Sequence, residues 1–140
     1  MLERVCLPVA SVEDAAATCR ALLRHDVGTI VAVHVIEKAG GAPDKARVVQ
    51  REAQAAEIFA ALEDCLGDRA LETDIRYGTD VAETIFAAAT DHDATAIVFT
   101  PRGGSRWIRL LTGDVAMALV AETDRPVVVL PDVPEEPNGG

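Results

Sequence analysis

The sequence predicts an α/β domain, a doubly wound five-stranded parallel sheet in the order 3-2-1-4-5 with helices on both faces. Three observations lead there. Short apolar runs alternate along the chain with stretches whose apolar residues recur at helical spacing, as in successive βαβ units. The runs Val5–Val9, Thr29–Ile36 and Val127–Leu130 are apolar almost throughout, and the first reads as a strand buried on both faces. The chain has 140 residues, enough for one sizeable core and too few for two.

The elements follow in order. Val5-Cys6-Leu7-Pro8-Val9 is the first strand. Ser11, with Asp14 three residues on, is a capping-box pattern that opens a helix through Ala15, Cys19, Leu22 and Leu23. That helix is expected to end between His25 and Gly28. Thr29–Ile36 is the strongest strand, rich in β-branched residues. A Gly/Pro loop from Lys38 to Pro43 leads into a long amphipathic helix from Asp44. Its apolar face is Val48, Ala55, Phe59, Leu62 and Leu66, and Gly67-Asp68 stops it. Leu71–Tyr77 alternates apolar and polar residues, as a half-exposed edge strand should. Gly78-Thr79-Asp80 is a turn and cap for a helix lined by Val81, Ile85, Ala88 and Ala89 that ends near His92. A strand at Ala96–Phe99, a glycine loop, a helix from Asp114 to about Glu122 and a last strand at Val127–Leu130 complete the domain, 1–131. The acidic Pro/Gly tail, 132–140, is expected to be disordered.

Composition narrows the function. A net charge of −10 argues against nucleic acid or an anionic membrane as a partner. No apolar run reaches the length of a membrane span, and the N-terminus does not read as a secretory signal, so a cytoplasmic location is expected. Lys38 and Lys45 are the only lysines; the other cations are arginines. Such an acidic, lysine-poor surface would suit a cytoplasm of high ionic strength, as in halophiles, and equally an ordinary acidic protein. Cys6, Cys19 and Cys65 are widely spaced and form no CxxC. Each is expected to pack as a small apolar residue in a reducing compartment, not as a disulfide or metal ligand.

The segment Ala96–Gly104, followed by Gly113-Asp114-Val115, reads as a strand, a long loop and a helix N-terminus. That geometry turns unpaired backbone N–H groups toward one spot, where an anion can sit. In a sheet of this order, ligands bind beyond the carboxyl ends of the strands at the point where strand order reverses. Here that point lies between the first and fourth strands, so the loops after Val9 and Phe99 face one another.

From Val5 to Leu130 the chain resembles the universal stress protein family. The family's C-terminal signature is glycine, two residues, glycine, nine residues, glycine, then serine or threonine. Gly103 and Gly113 match its second and third glycines; Val115 and Arg125-Pro126-Val127-Val128-Val129 resemble its last helix and strand. Gly78, Ile85 and the helix between them resemble its third helix, and His34-Val35 the end of its second strand. The resemblance implies a stress-response domain and places a nucleotide site at Pro8, Val9, Ala10, Val35, Thr100, Arg102, Gly103, Gly113, Asp114 and Val115. At three contact positions the chain departs from the family's pattern. Thr100 stands at the first glycine, Asp114 at the serine or threonine, and Ala10 at the aspartate that usually follows the first strand.

Asp114 is the departure with the largest physical consequence. A carboxylate there would cap the helix, contributing about 1 kcal/mol. It would also repel a phosphate charge about 4 Å away by about 4 kcal/mol at an effective dielectric near 20. That is close to a thousandfold in affinity per charge pair, before salt or Mg²⁺ reduces it. Arg102, Arg106 and Arg109 could bind phosphate or pair with acids such as Asp114, and both readings stay open. Trp107, Leu110 and Leu111 read as packing residues. His25 and His92 sit at helix ends, where a cation suits the dipole. His34 lies nearest the crevice, but no catalytic or metal-ligand spacing accompanies it.

The expected function is therefore a non-enzymatic domain of stress response, acting as a homodimer with a further protein partner and no cofactor. The dimer is expected at the edge strand Val127, Val128, Val129 and Leu130; related stress proteins use this edge. The alternative is a sensor that binds AMP, a cyclic nucleotide or, weakly, ATP in the crevice. A flavin carrier is disfavoured by the scarcity of aromatic residues.

Overall fold

The computed structural model describes residues 2–37, 45–100 and 121–130. In chain order the elements are β1 (Arg4–Pro8), α1 (Val12–Leu22), β2 (Thr29–Glu37), α2 (Lys45–Leu66), β3 (Leu71–Gly78), α3 (Val81–Asp91), β4 (Ala96–Phe99) and β5 (Val127–Val129). The five strands form one sheet in the order β3-β2-β1-β4-β5, all pairs parallel. This is the predicted order. The loop at Lys38–Pro43, most of the helix expected from Asp114 to Glu122, and the tail 132–140 lie outside the described residues.

Strand periodicity sorts the apolar residues into two cores. Val5, Leu7, Val9, Ile30, Ala32, Ala96 and Val98 face α1 and α2, meeting Leu22, Ile58, Phe59 and Leu62. Cys6, Val31, Val33, Ile97 and Phe99 face α3, meeting Ile85, Ala88 and Ala89. The central strands β1, β2 and β4 are thus covered on both sides, which is why they are apolar throughout. Along α2 the buried face is Ala55, Ile58, Phe59, Leu62 and Leu66; Val48 is only partly buried, and Ile58 joins the expected set.

Local chemistry starts the helices where the sequence places them. Ser11 caps α1 by accepting from the Asp14 N–H at 3.0 Å, and the Asp14 carboxyl accepts from the Ala10 N–H at 3.3 Å. The two bonds form a reciprocal box that ties the β1 loop to the helix start. Asp80 caps α3 by accepting from the Glu83 N–H at 3.1 Å. α1 ends at Leu22, earlier than expected, with a turn carrying the chain on to His25. Arg69 donates to the carbonyls of Leu22 and His25, satisfying acceptors that α1 leaves open at its end. Gly67, at φ +60°, ends α2 in the left-handed conformation.

The cysteine expectation is corrected. Cys19 and Cys65 are joined in a disulfide across a sequence separation of 46. The reason is tertiary: α1 and α2 lie side by side on one face of the sheet, which brings two distant positions together. Spacing along the chain carries no trace of that contact. Cys6 does pack as a buried free thiol, on the opposite face. Burial pushes its pKa up to about 12.

Arginines brace the outer strands. Arg4 forks onto the Glu72 carboxylate at 2.9 Å and donates to the His92 carbonyl. Arg125 donates to the Ala94 carbonyl and the Thr90 hydroxyl, fastening the segment before β5 to the end of α3. A planar guanidinium can span such separated acceptors where an ammonium cannot. His92 Nε2 and Arg76 Nε meet the same Asp74 oxygen at 2.8 and 2.6 Å, and Arg76 also reaches Asp91.

Partial burial by itself would raise the Asp74 pKa, but hydrogen bonds from His92 and Arg76 together hold it below the usual carboxylate range. A lowered folded-state pKa gives stability that is present above the unfolded value, near 4, and lost as pH falls toward the folded one. Asp74→Asn should therefore cost about 1–2 kcal/mol at pH 7. The gap to the parent should close as denaturation is followed downward from about pH 4. A gap independent of pH would show that packing, not charge, holds this corner.

Candidate functional site

Strand order reverses between β1 and β4, and the crevice beyond their carboxyl ends is the candidate site. Pro8 helps to open it. The Arg4 carbonyl accepts from the Thr95 N–H, so residues 4, 6 and 8 turn their backbone groups toward β4. Proline has no N–H to donate there. The β1–β4 pairing accordingly runs only through Val5↔Ala96 and Cys6↔Ile97, whereas β1–β2 pairing continues to Pro8↔Val33. The same offset carried onward places Val9 level with Thr100, on opposite walls of the opening.

The lining residues fall on two sides. Val9 is fully buried in the α1/α2 core, while Ala10 and Val35 pack against the α3 core. Val9 is held tightly: its N–H donates to the Val33 carbonyl at 2.9 Å, and its own carbonyl accepts from His34 Nδ1 at 2.8 Å. A carbonyl can only accept, so His34 carries its proton on Nδ1. His34 is thus a positioning group for the β1 loop. The Ala10 N–H is engaged by Asp14, itself buried. Thr100 is buried as β4 ends, and its Oγ1 has no hydrogen-bond partner among the described residues.

Of the positions implied by the resemblance, the structure brings Pro8, Val9, Ala10, Val35 and Thr100 to the carboxyl side of the sheet. Arg102, Gly103, Gly113, Asp114 and Val115 lie outside the described residues, as do Arg106, Trp107, Arg109, Leu110 and Leu111. The described residues contain no cluster of His, Cys, Asp or Glu able to hold a metal ion. No helix among them is long and apolar enough to cross a membrane. Sequence reading missed the Pro8 effect and the His34–Val9 bond. The first was open to inference from a proline placed in a central strand; the second depends on strand register.

The far edge of the sheet is formed by β5. The carbonyl of Pro126 and the N–H of Leu130 bond to β4, so residues 126, 128 and 130 turn inward. Val127 and Val129 direct their backbone groups away from β4, to the side of β5 that pairs with no other described strand. Val129 is 51% exposed, whereas the Leu130 side chain is buried in the α1/α2 core.

A five-stranded parallel sheet whose strand order reverses between β1 and β4 defines the class of doubly wound α/β domains. Within that class the chain belongs to the universal stress protein family, whose sequence model matches residues 1–131. No curated protein matches it by sequence. Among solved structures, the hypothetical protein PH0823 is similar at 19% identity with a TM-score of 0.71, covering 97% of this chain and 100% of that one. A universal stress protein from Archaeoglobus fulgidus in complex with dAMP is similar at 17% identity and a TM-score of 0.62, over 93% and 99% of the two chains. A universal stress protein in complex with cAMP is similar at 12% identity and a TM-score of 0.62, over 94% and 98%.

Proposed function

We propose that this chain is a non-enzymatic stress-response domain that acts as a homodimer and through a further protein partner, and whose crevice does not hold ATP in the family's usual way. The observation that carries the reading is the pair of walls at the switch point. Where the family's aspartate would stand, Ala10 offers a methyl group and a backbone N–H already bonded to Asp14. Where the family's first glycine would stand, Thr100 brings a buried side chain. These residues do not fit the ATP-binding pattern, and Asp114 adds a charge of the wrong sign. Isothermal titration with ATP and Mg²⁺ tests the reading. A Kd weaker than about 10 μM, or less than about 7 kcal/mol of binding, is expected; tighter binding would remove it.

A second reading rests on the Thr100 hydroxyl, buried without a described partner, and on the related complexes with dAMP and cAMP. In it, a nucleotide with one phosphate occupies the crevice and meets less repulsion from Asp114 than a triphosphate does. Titration with AMP and cAMP separates the two. Either one binding at least tenfold more tightly than ATP favours the sensor; no binding of any of the three favours the first reading.

In the first reading the dimer forms through β5. Its outward backbone groups at Val127 and Val129 would pair with the same strand of a second copy about a two-fold axis. Val129→Pro removes one outward N–H and leaves the inward ladder to β4 intact. The variant is expected to sediment as a folded monomer at tens of micromolar where the parent sediments as a dimer. A parent that is itself monomeric at that concentration overturns the placement.

A further inference from the structure

We propose that the Cys19–Cys65 pair is a site of reversible thiol–disulfide exchange that takes a dithiol reductant, with the Cys65 sulfur as the point of attack. The two residues differ in access. Cys19 is completely buried in the α1/α2 core, whereas Cys65, in the last turn of α2, is partly exposed against the edge of that core. An incoming thiolate therefore reaches Cys65 first. It forms a bond to Cys65 Sγ while the Cys19–Cys65 bond breaks, and Cys19 departs as a thiolate that takes up a proton. The reductant's second thiolate then attacks its own sulfur in the mixed disulfide and releases Cys65, which is protonated in turn. The protein gains two electrons and two protons, and the dithiol becomes a cyclic disulfide.

The third cysteine keeps this exchange confined to one pair. Cys6 sits across the sheet in the α3 core, buried, with its thiol pushed up to about 12. The sheet separates it from the pair, and it carries almost no thiolate to attack with. Reduction consequently opens one cross-link and cannot reshuffle it. The link joins α1 to α2 across 46 positions, so its loss frees a long loop of the unfolded chain. The same helix α1 begins at the Ser11–Asp14 box that holds the loop lining the crevice, which puts the exchange site on an element of the candidate site without depending on what that site binds.

The test follows thiols and melting together in the whole chain. After equilibration with oxidised glutathione and denaturation, one alkylatable cysteine is expected, Cys6; after dithiothreitol, all three. Brief native treatment with dithiothreitol followed by iodoacetamide should label Cys65 before Cys19, as peptide mass spectrometry reads. Reduction should lower Tm by roughly 10 °C and re-oxidation should restore it. Cys6→Ser should keep that response, and Cys65→Ser should abolish it. Three free thiols after oxidation, a disulfide that dithiothreitol opens only on unfolding, prior labelling of Cys19, or an unchanged Tm would each overturn the proposal.

Discussion

The triple variant Ala10→Asp, Thr100→Gly, Asp114→Ser is expected to bind ATP with Mg²⁺ roughly a hundredfold more tightly than the parent. Each substitution addresses a separate obstacle. At position 10 the crevice wall presents a methyl group beside an N–H already committed to Asp14, and an aspartate would supply the acceptor it lacks. At position 100 a buried side chain stands where a glycine would let a ligand approach the backbone. At position 114 removal of a carboxylate would relieve about 4 kcal/mol for a phosphate charge at about 4 Å, an amount that salt and Mg²⁺ cut to about half. Asp114→Ser alone should therefore deliver most of the gain. Titration calorimetry on the single and triple variants, at matched Tm, measures the partition. A triple variant that binds no better than the parent would mean that loop geometry, not charge, closes the crevice to triphosphates.

Gly28→Ala is expected to destabilise the fold by about 3 kcal/mol, a fall in Tm of roughly 10 °C. Gly28 precedes β2, and a Cβ placed on it would lie 2.1 Å from the Glu3 carbonyl oxygen. That oxygen is backbone and cannot swing aside. It is also committed, since it accepts from the Thr29 N–H while the Gly28 N–H donates to the Leu2 carbonyl. Relieving the clash must strain these bonds at the entry to the central strand pair. Gly67→Ala is the informative comparison. Gly67 has open space around it but a left-handed φ of +60°, so alanine there should cost only about 1 kcal/mol. Equal losses at the two glycines in urea denaturation would refute the steric account of Gly28.

Both sites show what a sequence can and cannot carry. The capping box at Ser11 and Asp14 was legible because its two partners sit three residues apart, within reach of one helical turn. The strand order was legible because β-branched runs between amphipathic stretches admit few right-handed parallel arrangements. The crevice followed from the order. Its detailed walls did not, because Pro8 acts through which neighbour its missing N–H faces, and His34 acts through a register that sets it against Val9.

What the sequence determined by itself is therefore local and periodic: the elements, their order in the sheet, the family, and the identity of the residues at positions 10, 100 and 114. The disulfide was decided only by tertiary structure. Nothing near Cys19 or Cys65 marks them as partners, and the odd number and wide spacing of the chain's three cysteines argue the other way. They meet because α1 and α2 bury their apolar faces on the same side of the sheet, and burial of those faces is a property of the whole core. Arg4, Arg69 and Arg125 belong with the disulfide in this respect. Each bonds groups at least 31 residues away, so their bracing exists only once the sheet has brought those groups within a side chain's length.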